Sequence, residues 1–288
     1  MTEPLVRRLH ARGERITVGT LPWVAPVYRA MPQVVQVLEF PFAHGGLQWR
    51  ARREWAKRLR GQFDKAYVCP NSLKSALLPW WADIPTRIGY LGESRYGLLN
   101  QRLPNPPKGE RPPMVAFYSA LSGAADAEIQ TDKPTFNLPL APVQSALKAM
   151  NLVANAYYVF APGAEYGSAK RWPAHHFADL AARLPLPVVL LGSGKEAALC
   201  QEIADAANAA GGCCYNWAGK TTLDQALAAI AAAKAMVSND SGLMHVAAAF
   251  GVPQVAIFGS SSPLHTPPLS DKAHILWLKL ECAPCFQR

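Results

Sequence analysis

From Tyr157 onward, short apolar runs alternate along the chain with stretches rich in Ala and Leu. The runs fall at 157–160, 188–191, 213–215, 235–238, 254–258 and 275–277. Stretches of helical composition lie between them, near 173–184, 196–209, 223–233 and 242–250. Near-continuous apolar strands separated by helices predict a parallel sheet covered on both faces. This half has the pattern of a complete doubly wound α/β domain.

The first half follows the same class less regularly. Strands are predicted at 16–19, 34–38, 65–69 and 86–90, with helices at 50–60 and 72–81. A Pro-rich surface loop follows at 103–113, and a polar, Pro-spaced stretch at 131–145 leads towards the second domain. The boundary is placed near 150, giving domains 1–150 and 151–288. The chain opens on a helix-like piece, Glu3–Ala11, and only then on a strand. Doubly wound domains begin with a strand whose carboxyl end carries a ligand-facing loop. The first domain is therefore expected to lack its first strand and loop.

Composition sharpens the division. Half of the 288 residues are apolar and 17% are charged, which excludes general disorder and suits two domains. The formal charge of +9 is unevenly placed. Residues 1–111 hold 18 basic and 8 acidic side chains, and residues 112–288 hold 11 and 12. No apolar run approaches the length of a membrane span, and the first residues lack the apolar core of a signal peptide. The six cysteines have no framework spacing and are read as cytosolic thiols. Cys282-Ala-Pro-Cys285 is the one C-x-x-C, and no second pair with zinc-site spacing accompanies it.

The richest segment is Ser238-Asn239-Asp240-Ser241-Gly242-Leu243-Met244-His245. A strand ends in Asn-Asp, a Ser-Gly turn follows, and a helix begins at the carboxyl edge of the sheet. Free first-turn amides and the positive end of the helix dipole suit a diphosphate there. His245 lies on the same first turn. An ordinary N-cap at Asp240 or Ser241 is the plainer alternative. A second loop, 161–173, follows the first strand of this domain. It contains Gly163, then Glu165, Tyr166 and Gly167, then Lys170 and Arg171. Gly192-Ser193-Gly194 makes a third loop but lacks the full dinucleotide spacing. No P-loop, nucleophile elbow or His-Glu-x-x-His motif is present.

In the basic half, Asn71, Ser72 and Lys74 follow a strand and open a helix. Arg50, Arg52, Arg53, Lys57, Arg58 and Arg60 crowd another helix with Trp49 and Trp55. No nucleic-acid module accompanies this patch. Cations beside Trp suit an anionic lipid or phosphorylated glycolipid surface better than nucleic acid.

Together, 239–249, 258–263, 162–173, 70–77 and 95–100 resemble the ADP-heptose:lipopolysaccharide heptosyltransferases of glycosyltransferase family 9, the type II branch most. The resemblance covers almost the whole chain. It implies a GT-B fold of two Rossmann-like domains facing a cleft, and an inverting, metal-free transfer that uses no cofactor. The implied donor is ADP-heptose and the implied acceptor a heptosyl-Kdo-lipid A core. The implied location is cytoplasmic, peripheral to the inner membrane. Residue by residue, Lys170 would bind the donor phosphates and Asp240 would contact the heptose. Gly163, Ser241, Gly242 and His245 would line that site, and Asn71, Ser72 and Lys74 would stand on the acceptor side. The family's general base is an Asp on the loop after the first strand, so no catalytic residue is assigned here. The family also continues beyond the position matching Arg288. Two alternatives stay open: a GT-B enzyme using another nucleotide sugar, and a nucleotide-sugar- or glycolipid-binding remnant.

Overall fold

The computed structural model describes residues 1–285 apart from His44, Lys108, Gly109, Thr131, Glu165, Tyr166 and Gly167. The chain forms two compact units, one of residues 1–29 and 33–132, the other of residues 30–32 and 133–288.

The first unit contains α1 (Glu3–Ala11), β1 (Ile16–Thr20), α2 (Ala25–Arg29), β2 (Val34–Glu39), α3 (Trp49–Leu59) and β3 (Lys65–Val68). It continues with α4 (Leu73–Trp81), β4 (Thr86–Tyr90), β5 (Gln101–Leu103), α5 (Met114–Ser119) and α6 (Asp126–Ile129). All its ladders are parallel, but they form two sheets, β1-β2 and β3-β4-β5. Leu5 and Leu9 of α1 pack with Ile88, Tyr90, Phe117 and Leu121 in one cluster. Phe40, Phe42, Ala56, Leu59 and Ile84 form another. At the carboxyl end of the unit, Asp132 accepts from Arg8 Nε at 2.8 Å and Nη2 at 3.0 Å, which fastens that end to α1.

The second unit contains α7 (Leu140–Ala149), β6 (Tyr158–Ala161), α8 (Ala174–Arg183), β7 (Val188–Leu190), α9 (Ala197–Ala209) and β8 (Cys214–Asn216). It continues with α10 (Leu223–Ala231), β9 (Ala235–Asn239), α11 (Gly242–Ala249), β10 (Gln254–Phe258) and β11 (Ala273–Trp277). Six parallel strands lie in the order β11-β10-β9-β6-β7-β8. Alternate side chains of one strand enter opposite cores, as the pleat requires. Val159 and Ala161 join Leu147, Leu227, Ile230 and Met236, whereas Phe160 joins Phe177, Leu190 and Ile203. Such a strand is apolar throughout because both of its faces are buried.

The sequence places the domain boundary near 150, and the change of unit falls at 132/133, ahead of α7. Residues 140–145, expected as linker, belong to that helix. Pro139 is its N-cap and Pro142 lies in its first turn, where a missing N–H breaks no intrahelical bond. Leu147 and Met150 then bury against α10. The order reversal in this sheet lies between β6 and β9, so the segments after these two strands emerge side by side at the carboxyl edge.

A candidate donor-phosphate site

Asn239 ends β9 and is fully buried. Its Nδ2 donates to the Pro162 carbonyl at 2.7 Å, and its Oδ1 accepts from the Trp172 N–H at 2.9 Å. One side chain thus holds both ends of the 162–172 segment against β9. Lys170, near the end of that segment, places Nζ 2.9 Å from Asp240 Oδ2. Thr266 Oγ1 donates to the other carboxylate oxygen at 3.5 Å. The two charges are mostly removed from solvent, Lys170 being 18% and Asp240 9% exposed at the side chain.

Beside this pair, α11 begins. Ser241 is its N-cap with extended backbone, yet its side chain makes no capping bond. Ser241 Oγ is buried without a hydrogen-bond partner among the described residues. A Cβ built on Gly242 would meet open space, and this residue is exposed. The first turn therefore offers backbone N–H groups to an anion, with a buried hydroxyl beside them that has no partner among the described residues. His245 follows one turn on. Burial lowers its imidazole pKa to about 4, with the Asp240 carboxylate opposing the shift. At neutral pH it is uncharged and supplies hydrogen bonds rather than a positive charge.

Other expected residues are placed differently. Gly163 does face a close neighbour, but a protein group: a Cβ there would lie 1.7 Å from Glu196 Oε1. Glu196 closes the 193–196 turn by accepting from the Ser193 N–H at 2.6 Å, in a capping box. Arg171 turns back, and its Nη2 donates to the Ala164 carbonyl at 3.4 Å. Glu165, Tyr166 and Gly167 lie outside the described residues. The 260–262 turn packs onto the Lys170 segment: Ser260 N–H donates to the Ala169 carbonyl at 3.4 Å. A Cβ on Gly259 would strike that same carbonyl at 2.8 Å.

In the first unit, Asn71, Ser72 and Lys74 are neighbours around the start of α4, but the first two are engaged internally. Asn71 Oδ1 accepts from Arg95 Nη2 at 3.3 Å. Arg95 is fully buried and donates as well to the carbonyls of Pro70, Tyr90 and Gly92. Ser72 Oγ donates to Ser75 Oγ at 3.2 Å, and the Leu73 N–H is taken by Glu93 Oε2 at 2.7 Å. The basic helix α3 divides as well. Arg52 is buried, donates to the Leu47 carbonyl and stacks 4.2 Å over Phe42, while Arg50, Arg53, Lys57 and Arg58 stay exposed. Among the described residues no cluster of His, Cys, Asp and Glu could hold a metal ion.

The model of glycosyltransferase family 9 (heptosyltransferase) matches residues 52–288. The chain belongs to this family. Lipopolysaccharide heptosyltransferase 2 of Escherichia coli is 43% identical over 296 residues, which cover 96% of this chain and 84% of that one. Lipooligosaccharide heptosyltransferase 2 of Haemophilus influenzae is 42% identical over 270 residues, covering 89% and 78%. The solved structure of the E. coli ADP-heptose lps heptosyltransferase II has a TM-score of 0.84 at 39% identity, covering 97% of this chain and 87% of that one. The fold is accordingly of the GT-B class, with two Rossmann-like units, and the chain is a glycosyltransferase.

Thr266 escaped the sequence reading, although its position after β10 carried a signal. β10 neighbours β9, so the segment that follows it emerges at the same carboxyl edge.

Gly163→Ala should displace the Glu196 carboxylate and lower stability by about 1 kcal/mol, the usual scale of a lost cap. In a Glu196→Ala background the same change should cost almost nothing, as urea unfolding would measure. NMR titration of His245 should give a midpoint near 4. Its folded pKa lies below the unfolded value of 6.5, so the unfolded state binds more protons between the two. Stability should therefore fall as pH drops from about 6.5 towards 4, and less so in His245→Gln.

Proposed function

We propose that this chain transfers heptose from ADP-heptose to a heptosyl-Kdo-lipid A acceptor during assembly of the lipopolysaccharide core. The observation that carries this reading is the Lys170–Asp240 pair beside the open first turn of α11, at the strand-order reversal of the second unit. A diphosphate brings concentrated negative charge to a place already provided with a cation and free amides. Lys170 then exchanges its carboxylate partner for phosphate oxygens, and Asp240 is released to accept hydrogen bonds from sugar hydroxyls.

In the reaction, the acceptor oxygen bonds to the anomeric carbon from the face opposite the departing ADP. The bond from that carbon to the phosphate oxygen breaks, its electron pair leaves on ADP, and the proton of the acceptor hydroxyl passes to water. The negative charge on the leaving oxygen grows towards the transition state, where Lys170 and the α11 amides act most strongly. The uncharged His245 adds hydrogen-bonding capacity without competing for Asp240 as a second cation would.

The first unit is read as the acceptor side. Lys74 is its candidate contact, since Asn71 and Ser72 serve the internal network around Arg95. Trp49 on α3 and Trp80 on α4 are exposed, and the Arg50 guanidinium lies 5.8 Å from the centroid of the Trp49 ring. Indole rings with Arg and Lys suit the headgroup region of an anionic bilayer, where a lipid-linked acceptor resides. No helix among the described residues is long and apolar enough to cross a membrane. Peripheral attachment to the cytoplasmic face of the inner membrane is thus the location we propose.

Heptose transfer from ADP-heptose, followed by mass spectrometry of the lipid product, tests the activity. A chain that transfers another sugar but not heptose would overturn the donor assignment. Calorimetry should show ADP-heptose binding weakened about 10- to 100-fold by Lys170→Ala, the scale of a lost charge-assisted bond. Unchanged affinity would remove Lys170 from the site. Vesicle flotation should show binding to anionic but not neutral lipid. Replacing Arg50, Arg53 and Arg58 together by Ala should weaken it at least about tenfold, at roughly 1 kcal/mol per cation near the surface.

A further inference from the structure

One face of the sheet β3-β4-β5 is turned towards α1. In-register partners on parallel strands point to the same side, and side chains alternate along each strand. Tyr67 pairs with Ile88 and Ile88 with Gln101, so Lys65 and Tyr67, Thr86 and Ile88, and Gln101 and Leu103 share that face. Towards the carboxyl ends of the strands the face is covered. Ile88 and Tyr90 pack in one cluster with Leu5 and Leu9 of α1 and Phe117 of α5. Towards the amino ends the cover runs out. α1 ends at Ala11, and the turn Ala120–Ser122 after α5 ends at Gly123, whose φ of 73° is left-handed. Lys65, Thr86 and Gln101 are the first residues of the three strands; Lys65 and Gln101 are exposed and Thr86 is half-buried.

This leaves a cavity of about 480 Å³ over the amino ends of β3, β4 and β5. Small-molecule sites commonly have roughly 300–1,000 Å³ and join apolar walls to a few placed polar groups. Ile88 and Leu103 give the floor, and Leu121 the wall opposite. Arg12, which ends α1, and Glu14 form one side of the rim, and no residue of β1 or β2 lines the cavity. The wall is held in place from within, since Ser122 Oγ donates to the Ser119 carbonyl at 2.7 Å.

The polar groups of the cavity divide into those already engaged and those available. Tyr67 Oη donates to Glu14 at 3.0 Å, and Lys65 Nζ lies 3.3 Å from the same carboxylate. Burial, together with the Glu14 hydrogen bond, pushes the Tyr67 phenol up to about 12, so at neutral pH it remains a donor. Glu14 is thus satisfied from two sides. Arg12 donates through Nη1 to the Ser122 carbonyl and forms no ion pair with the described residues, so part of its planar donor fork is uncommitted. The side chains of Thr86 and Gln101 make no hydrogen bond to the described residues. The rim sets Arg12 and Lys65 against Glu14. It carries an excess of one positive charge, with a hydroxyl and an amide close by.

We propose that this cavity binds a small monocarboxylate with an apolar body, its carboxylate on the Arg12 guanidinium and its body against Ile88, Leu103 and Leu121. A guanidinium fork matches the two oxygens of a carboxylate. A neutral ligand would leave the excess charge without a partner, an amine would be repelled by it, and a dianion would be repelled by Glu14. Thr86 and Gln101 can accept or donate to a polar substituent on the body. The amino ends of the strands lie at the edge opposite the one that presents Asn71 and Lys74, so this ligand does not share their ground. The proposal is independent of the donor and acceptor assigned above.

Methyl NMR of the full chain tests it, with 4-phenylbutyrate as the probe. The methyl signals of Ile88, Leu103 and Leu121 should shift and saturate below about 10 mM, the weak end of small-ligand affinity. The matching alcohol, 4-phenylbutanol, and the matching amine, 4-phenylbutylamine, should bind at least about tenfold more weakly, the scale of a lost charge-assisted bond. Acetate, which has the charge without the body, should not saturate. Arg12→Ala should weaken the probe about 10- to 100-fold by the same reasoning. Leu103→Trp, which fills the floor, should abolish its binding. Excess ADP should leave the probe in place. No saturation, equal binding of the alcohol, shifts confined to other methyls, or displacement by ADP would each overturn the proposal. If Arg12→Ala does not fold, the comparison of acid, alcohol and amine on the unmodified chain decides the charge assignment by itself.

Discussion

In an all-parallel sheet every strand ends at the same edge, and this constraint governs the second unit. Each strand must be followed by a crossover, so all its strand-to-helix loops emerge together. Where the order turns between β6 and β9, the helices that follow depart to opposite sides and leave the edge uncovered. Lys170 and Asp240 are 70 residues apart in sequence and meet only because β6 and β9 are neighbours. Asn239 converts that adjacency into a fixed geometry, with one amide satisfying a carbonyl and an N–H on the same facing segment.

An ion pair removed from most solvent is a poor source of net stability, because desolvation offsets much of its attraction. Within the Lys170–Asp240 pair each charge compensates the other where both are mostly removed from solvent. Thr266 donates to the second oxygen of Asp240, so the carboxylate has a partner besides the lysine. The neutral state of His245 belongs to the same economy of charge. A second cation here would draw Asp240 away from its lysine and leave the pair without a defined arrangement.

Much of the fold was legible in the residues because both-face burial writes itself as continuous apolar runs. Every strand of the second unit sits within a residue or two of its expected place, and the early helix Glu3–Ala11 was read with its bounds. β5 and α7 were not legible. β5 has three residues, and α7 begins with prolines that resemble a linker until their first-turn positions are known. Within the candidate site, the loops were readable as carboxyl-edge features, but the pairing of Lys170 with Asp240 depends on strand order, which no local pattern contains. Asn71 was misleading for a different reason. It looks like an available polar group, and only the fold shows Arg95 buried behind it. Arg52 did carry a signal, since it lies on the helix face of Ala56 and Leu59 and is buried with them.

The Glu196 carboxylate occupies the space that any side chain at residue 163 would need. This contact has a historical consequence. A lineage that keeps Glu196 loses about 1 kcal/mol of stability on replacing Gly163, the scale of a lost cap, while one that first replaces Glu196 opens position 163 to larger residues. Once such a residue is established, return to Glu196 is obstructed in turn. The order in which the two substitutions arrive therefore sets their separate costs, and a steric contact between two loops biases the path of divergence.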